Sequence, residues 1–102
     1  MNEIAQLCEK VGADIKSVAK GIGLDNRIGP RFLQAGMGYG GSCFPKDVRA
    51  LIELMKRNKV KGNVLSAVNR VNEDQRKFIL LKIKKLLPSL KDKTIAVWGL
   101  AF

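Results

Sequence analysis

The sequence predicts an all-α fold: a helical domain with one long helix, ending in the first β-strand of a further α/β domain that the sequence does not contain. Apolar residues recur at spacings of three and four along four segments, as on the buried face of a helix. Capping residues, glycines and prolines separate these segments. The run 94-TIAVWGLAF-102 has the β-branched and aromatic composition of a buried strand, with too little chain after it to complete a strand-helix-strand unit.

The first two helices are predicted from the residues at their ends. An apolar stripe lies within residues 2–11, and Gly12 ends that helix. Asp14 is a suitable N-cap for a second, shorter helix, which Gly21 and Gly23 bring to its end. The irregular segment LDNRIGPRFLQAGMGYGG follows, and long segments of this kind in small domains tend to be functional.

The third and fourth helices are predicted in the same way. Ser42 can cap the third helix, and Pro45 suits its first turn. The fourth helix extends from about Asn63 to Leu87, and Pro88 stops it. So long a helix in so short a chain leaves apolar surface uncovered, so we expect it to pack against a partner.

Composition narrows the classes of function. No apolar run could span a membrane and the N-terminus is not a signal peptide, so we expect a cytoplasmic protein without membrane contact. With no histidine and only Cys8 and Cys43, we expect no metal site. The net charge of +10 suits an anionic partner, but the lysines fall on helix faces and ends and the aromatic residues are not interleaved with them. We therefore expect no nucleic-acid binding.

The segment 36-GMGYGGSCFPKD-47 carries the strongest functional signal. Gly36, Gly38 and Gly41 satisfy the G-x-G-x-x-G spacing of dinucleotide-binding loops. The residues before them, GPRFLQA, are not a strand, so we reject that interpretation. Glycines at these positions still allow positive φ angles and let backbone N–H groups approach an anionic or bulky ligand.

Cys43 stands where this glycine-rich segment meets the third helix. Unpaired N–H groups and the helix dipole favour a thiolate there, Lys46 adds a positive charge, and Asp47 lies one turn further along. These features suit a nucleophile with a carboxylate that positions water. The alternative, equally open, is a small buried cysteine followed by two surface charges. Cys8 lies on the apolar stripe of the first helix and is predicted to be a core residue.

Nearly the whole chain resembles the nucleotide-sugar dehydrogenases of the UDP-glucose and GDP-mannose type. The motif GYGGSCFPKD is highly specific for this family, far beyond a glycine pattern alone. The other segments that carry the resemblance are NEIAQLCEKVGAD, GIGLDNRIGPRFLQA, AVNRVNEDQR and KTIAVWGLAF.

The resemblance implies the domain organisation and the reaction. Residues 1–90 would be the helical central domain, which forms the homodimer, and 91–102 the start of a C-terminal nucleotide-binding domain. The family oxidises the C6 alcohol of a UDP-sugar to a carboxylate with two NAD⁺, through a thiohemiacetal and a thioester. Because the NAD-binding domain is not in the sequence, we expect this chain alone to be inactive. Nucleotide-sugar metabolism and polysaccharide biosynthesis are the implied context.

The resemblance also assigns roles to individual residues. Cys43 would be the nucleophile, Asp47 would help to activate the hydrolytic water, and Lys46 would approach the cofactor. The remaining site residues would bind the substrate: the backbone of Tyr39, Gly40 and Gly41, the segment with Phe32 and Leu33, and Arg27, which would reach the substrate of the partner subunit.

Three alternatives remain open. UDP-glucose is the expected substrate, because the motif and the upstream RIG resemble the UDP-glucose branch more than the UDP-N-acetylmannosamine branch. GDP-mannose enzymes share GGSC and PKD, so GDP-mannose remains possible.

The class of function is also open. The chain could instead be a dimerisation module without activity or, as a third alternative, a basic nucleic-acid-binding domain.

Overall fold

The computed structural model describes residues 1–99, which form four helices. These are α1 (Asn2–Val11), α2 (Ile15–Gly23), α3 (Phe44–Arg57) and α4 (Asn63–Leu86). Residues 1–99 contain no strand. The all-α fold predicted from the sequence is therefore confirmed.

The chain divides into two compact units. The first, Met1–Met37, contains α1 and α2, and the second begins at Gly38 and contains α3 and α4. The boundary predicted near residue 90, between a helical domain and the start of another domain, stays a prediction.

In the first unit, α1 and α2 end as their capping residues predict. Gly12 adopts a left-handed conformation, with a φ of 73°, and its N–H bonds to the Cys8 carbonyl. The Asp14 carboxylate caps α2 by accepting from the N–H groups of Lys16 and Ser17, at 3.1 and 3.0 Å. Further along, the Gly36 N–H donates to Asn2 Oδ1 at 2.8 Å, so the irregular segment returns to the start of α1.

In the second unit, the N-cap of α3 is Cys43 and not Ser42. No side chain bonds to the free N–H groups of its first turn, in which Pro45 lies as predicted. Ser42 precedes the cap, and its Oγ lies 3.6 Å from Cys43 Sγ. The prediction of a Ser42 cap was wrong because the helix begins one residue later than that role requires.

Helices α3 and α4 of the second unit are in contact. Arg49 on α3 donates to Glu73 on α4 at 3.0 Å. At the connection between them, Gly62 lies against the Met55 side chain. The glycine-rich segment therefore leads into a helix that α4 supports from one side.

The strand predicted over 94–102 does not form in residues 94–99. A strand exists only when its N–H and C=O groups pair with a neighbouring strand, and residues 1–99 offer none. Ile95, Val97 and Trp98 are accordingly exposed rather than buried. Residues 100–102, the end of the predicted strand, lie outside the described residues.

Few side chains in residues 1–99 are fully buried. Cys8 is the buried apolar residue, as predicted, and Asn72 and Gln75 on α4 are buried polar residues. Many large apolar side chains remain exposed, which is unusual for a small protein without a partner.

Candidate active site

The second unit contains the thiol and the glycines that precede it. We call residues 38–42 the glycine loop; it leads directly into Cys43 and α3. Cys43 is exposed, so its interpretation as a small buried residue is wrong. The thiol stands at the positive end of the α3 dipole, beside N–H groups that no side chain caps. A nucleophile at this point could be reached by a ligand from solvent.

Lys46 and Asp47 lie on the first turn of α3 and form an ion pair with each other. The Asp47 N–H donates to the Cys43 carbonyl at 2.9 Å, which fixes Asp47 one helical turn from the thiol. Both side chains are largely exposed. An exposed pair of this kind contributes little to stability, so either side chain can change partner at small cost.

Asn72 on α4 binds the backbone of Tyr39 at two atoms. Tyr39 N–H donates to Asn72 Oδ1 at 2.7 Å, and Asn72 Nδ2 donates to the Tyr39 carbonyl at 3.0 Å. One side-chain amide thus replaces the pair of hydrogen bonds that a neighbouring strand would make. Asn72 was not among the predicted site residues, although its position four residues after Val68, in the apolar stripe, was a detectable signal.

Gly38 and Gly41 give the glycine loop its shape. Both have a positive φ, 99° at Gly38 and 85° at Gly41, a conformation that other residues rarely adopt. A β-carbon at Gly38 would also lie 2.5 Å from Asn72 Oδ1, too close for any side chain. The N–H groups of Gly40 and Gly41 make no hydrogen bond within residues 1–99, so both are available to a ligand.

The Tyr39 ring connects the loop to α3. Its centroid lies 6.0 Å from that of Phe44, with the two planes inclined at 57°. The Tyr39 hydroxyl oxygen is buried and has no hydrogen-bond partner in residues 1–99. Tyr39 and Phe44, which lie immediately before and after residues 40–43, are therefore in contact with each other.

The other predicted substrate residues lie in the first unit. Arg27 binds Asp25 through its backbone N–H, at 2.9 Å, and through its guanidinium. The Arg27 guanidinium lowers the pKa of Asp25, and the Asp25 carboxylate in turn raises the pKa of Arg27. Phe32 is exposed with a φ of 62°, and Leu33 is half-buried beside Gly23. Arg27 thus has a partner within its own chain.

Two further features are absent from residues 1–99. No group of three or more His, Cys, Asp or Glu side chains there could hold a metal ion. No helix among them is long and apolar enough to cross a membrane.

Together these features define a class of protein. An all-α unit presents an exposed thiol at a helix start, directly behind a glycine loop with unpaired N–H groups and next to a carboxylate. Proteins of the class that binds a ligand next to a nucleophile have such an arrangement.

Comparison with known proteins identifies the family. A sequence model of the UDP-glucose/GDP-mannose dehydrogenase family, central domain, matches residues 1–74. The chain belongs to this family.

Two curated relatives match over the whole chain. The UDP-glucose 6-dehydrogenase of Rickettsia bellii (strain RML369-C) is 53% identical over 103 residues, and UDP-glucose 6-dehydrogenase TuaD of Bacillus subtilis (strain 168) is 50% identical over 102. The chain covers 24% and 22% of their lengths, so it spans about a quarter of the relatives that it matches.

A solved structure has the same fold. It is a UDP-glucose dehydrogenase from the hyperthermophilic archaeon Pyrobaculum islandicum, 37% identical, with a TM-score of 0.82. The match covers 85% of this chain and 20% of the other. The similarity to this family therefore holds for the fold as well as for the sequence.

Proposed function

We propose that this chain is the thiol-bearing central domain of a UDP-glucose 6-dehydrogenase, and that Cys43 is the nucleophile of the reaction. The observation that carries the proposal is the exposed Cys43 at the start of α3, directly behind the glycine loop. The names of the curated relatives support UDP-glucose as the substrate. Because the chain spans about a quarter of those relatives, we expect it to be inactive alone.

In the proposed reaction, Cys43 captures the sugar at the aldehyde stage. The sulfur adds to the C6 carbonyl carbon, the carbonyl π bond breaks, and the oxygen takes up a proton, giving a thiohemiacetal. The Ser42 hydroxyl, 3.6 Å from the sulfur, can accept a hydrogen bond from the thiol or donate one to the thiolate. The helix dipole favours the negative sulfur that attacks.

Asp47 acts after the thiohemiacetal has been oxidised to a thioester. Water attacks the acyl carbon, Asp47 takes a proton from that water, and the carbon–sulfur bond breaks to release the carboxylate and the thiol. Asp47 lies one turn from Cys43 on the same helix, with its N–H bonded to the Cys43 carbonyl, which suits a base that acts on water near the thiol. Asp47 must exchange its ion pair with Lys46 for the water, which an exposed pair permits.

The two oxidation steps belong to NAD, and residues 1–99 do not form a site that fits this cofactor. The segment with G-x-G-x-x-G spacing is neither preceded by a strand nor part of a strand-helix-strand unit. Lys46, the predicted cofactor contact, is exposed and paired with Asp47. We therefore propose that NAD is bound elsewhere in the dehydrogenase.

Substrate binding is assigned to the glycine loop and to the first unit. The unpaired N–H groups of Gly40 and Gly41 suit oxygen atoms of the sugar nucleotide. The Tyr39 backbone is proposed to line the same site, with its N–H and carbonyl bonded to Asn72. Phe32 and Leu33 are proposed to contact the same ligand, and Arg27 to bind the substrate of the partner subunit after releasing Asp25.

A homodimer through the helical domain is part of the proposal. The exposed apolar residues of α4, among them Leu80 and Leu81, suit a surface that a second copy covers. The same surface favours the second candidate function, a dimerisation module without activity.

The test uses the 102-residue chain and needs no cofactor. The UDP-glucose C6 aldehyde is added, and alkylation of Cys43 by iodoacetamide is followed by peptide mass spectrometry. A thiohemiacetal blocks the sulfur, so we expect the aldehyde to slow alkylation and UDP-glucose itself to have less effect. Cys8 is 5% exposed and serves as the internal control.

The outcomes separate the candidates. Protection by the UDP-glucose aldehyde supports the proposed function. Stronger protection by the GDP-mannose C6 aldehyde would instead indicate that GDP-mannose is the substrate. Protection by neither aldehyde would contradict the proposed role of Cys43 and favour the dimerisation module.

A further inference from the structure

We propose that Asn72 is a positioning residue, which holds the glycine loop in the conformation that presents Gly40 and Gly41 to the substrate and Cys43 to its reacting carbon. The inference rests on the proposed function, to which it adds a residue that touches neither substrate nor cofactor. Three features of the second unit support this role: a buried amide, a ring contact and a neighbouring ion pair.

The Asn72 side chain is buried and bonded to the loop. It is 7% exposed, and a buried amide destabilises the fold unless its polar atoms find partners. Both Oδ1 and Nδ2 find them on one residue, at 2.7 and 3.0 Å from the Tyr39 backbone. Removing the side chain would deprive two backbone groups of their partner at once. Asn72 therefore determines the backbone position of Tyr39.

The Tyr39 bonds also determine which part of the loop is free. With its N–H bound to Asn72, Tyr39 cannot offer that donor to a ligand. The next two donors, on Gly40 and Gly41, have no partner in residues 1–99. Asn72 thus holds Tyr39 in place. The N–H groups of Gly40 and Gly41, which follow it and are proposed to bind the substrate, remain available.

The effect of Asn72 extends to Cys43 from both sides. On one side, the anchored Tyr39 packs its ring on Phe44, the residue after Cys43. On the other, Glu73, the neighbour of Asn72 on α4, holds Arg49 on α3. The Arg49 ion pair is exposed and contributes little, so the buried Asn72 bonds are the stronger of the two links. Adjacent residues of one helix therefore hold the chain before and after the thiol.

The first test measures the hydrogen exchange of the Tyr39 amide, which requires neither substrate nor catalysis. In Asn72→Ala we expect the Tyr39 N–H to exchange about tenfold faster, because it has lost its acceptor. Asn69→Ala is the matched control, since Asn69 precedes Asn72 by one turn and no hydrogen bond joins it to the loop in residues 1–99. Equal exchange in Asn72→Ala and the wild type, or an equal effect of Asn69→Ala, would overturn the proposal.

The second test uses Asn72→Asp and the aldehyde protection of Cys43. An ionised Asp accepts from the Tyr39 N–H but cannot donate to the Tyr39 carbonyl, whereas a protonated Asp can do both. We expect this variant to bind the aldehyde about tenfold more weakly at neutral pH and to recover towards wild-type binding below about pH 4. The wild type and Asn69→Asp should lack this recovery.

The two tests distinguish failure of the inference from failure of the proposed function. If wild-type Cys43 is not protected by the aldehyde, the proposed function fails, and the Tyr39 exchange alone decides whether Asn72 positions the loop. If wild-type Cys43 is protected and Asn72→Ala is protected equally, the positioning role is overturned while the proposed function stands.

Discussion

At Gly38 the backbone has a φ of 99°, and a β-carbon would meet Asn72 Oδ1. Both conditions arise from one arrangement, because the loop must pass close to Asn72 for the Tyr39 bonds to form. The sequence alone predicts that these glycines allow positive φ angles and a close approach of the backbone to a ligand. It could not say which glycine is indispensable, since that depends on a residue 34 positions further along the chain.

We expect Gly38→Ala to disrupt the glycine loop more than replacement of any other residue of the loop that adds a single methyl group. Strain at positive φ costs about 1–3 kcal/mol of unfolding free energy, and displacement of Asn72 adds to it. We expect a loss in that range or above, measured by urea unfolding followed by circular dichroism. Gly36→Ala is the control, because Gly36 has open space around its Cβ position and no positive φ. Equal stabilities of the two variants would contradict the assigned contact.

The position of the Cys43 thiol at a helix start was predicted correctly, whereas the buried amide of Asn72 was missed. The junction of a glycine-rich segment with an amphipathic helix located Cys43 at a helix start, because both patterns are local in sequence. Asn72 was missed because helical periodicity identifies apolar faces, and a polar residue in such a face appears as an interruption. Its function as a partner for Tyr39 depends on a contact that local patterns do not contain.

At the scale of the elements, the helix ends were predictable wherever a single residue type determines them. Gly12 and Asp14 are such residues, since a left-handed turn and a side-chain cap are local events. The conformation of residues 94–99 could not be predicted from their composition. Strand formation depends on a pairing partner, and residues 1–99 contain none. Composition therefore predicted the helices better than the strand.

The cap of α2 should depend on pH. The Ser17 side-chain hydrogen bond, followed by the N–H groups of Lys16 and Ser17, lowers the pKa of Asp14. Because the folded pKa lies below the ordinary value of about 3.9, the cap stabilises α2 above that value and is lost as pH falls through the folded pKa. We expect the amide resonances of α2 to report fraying only in this acidic range.

Asn is the matched replacement for this measurement. Asp14→Asn keeps an acceptor for the N–H groups but cannot be protonated, so its α2 resonances should not change in the acidic range. A midpoint at or above about 3.9 in the wild type, or the same acidic transition in Asp14→Asn, would be inconsistent with the cap.

At the scale of the whole molecule, the main feature is apolar surface left in contact with solvent. On α4, Leu80 and Leu81 are 59% and 64% exposed. Isolated exposed apolar residues are normal, but adjacent ones on a long helix suggest an interface. The basic side chains among them account for part of the net charge of +10.

Leu80→Lys combined with Leu81→Lys should separate the proposed homodimer. Each of two buried leucines contributes about 1.5–3 kcal/mol to the free energy of association at an interface. The two added lysines would also be repelled by the same lysines of the second copy. We expect light scattering to give a dimer mass for the wild type and a monomer mass for the variant. Ser66→Lys, at an exposed polar position of α4, should remain dimeric. A monomeric wild type at all concentrations would exclude the homodimer.

The exposure of Trp98 has a consequence for spectroscopy. It is the single tryptophan of the chain, and its side chain is fully exposed at 103% of the reference value. We therefore expect it to emit at the wavelength of indole in water even when the helices are folded. Tryptophan fluorescence would therefore report little of the folding of α1–α4, but a blue shift would be a sensitive signal that another surface has covered residue 98.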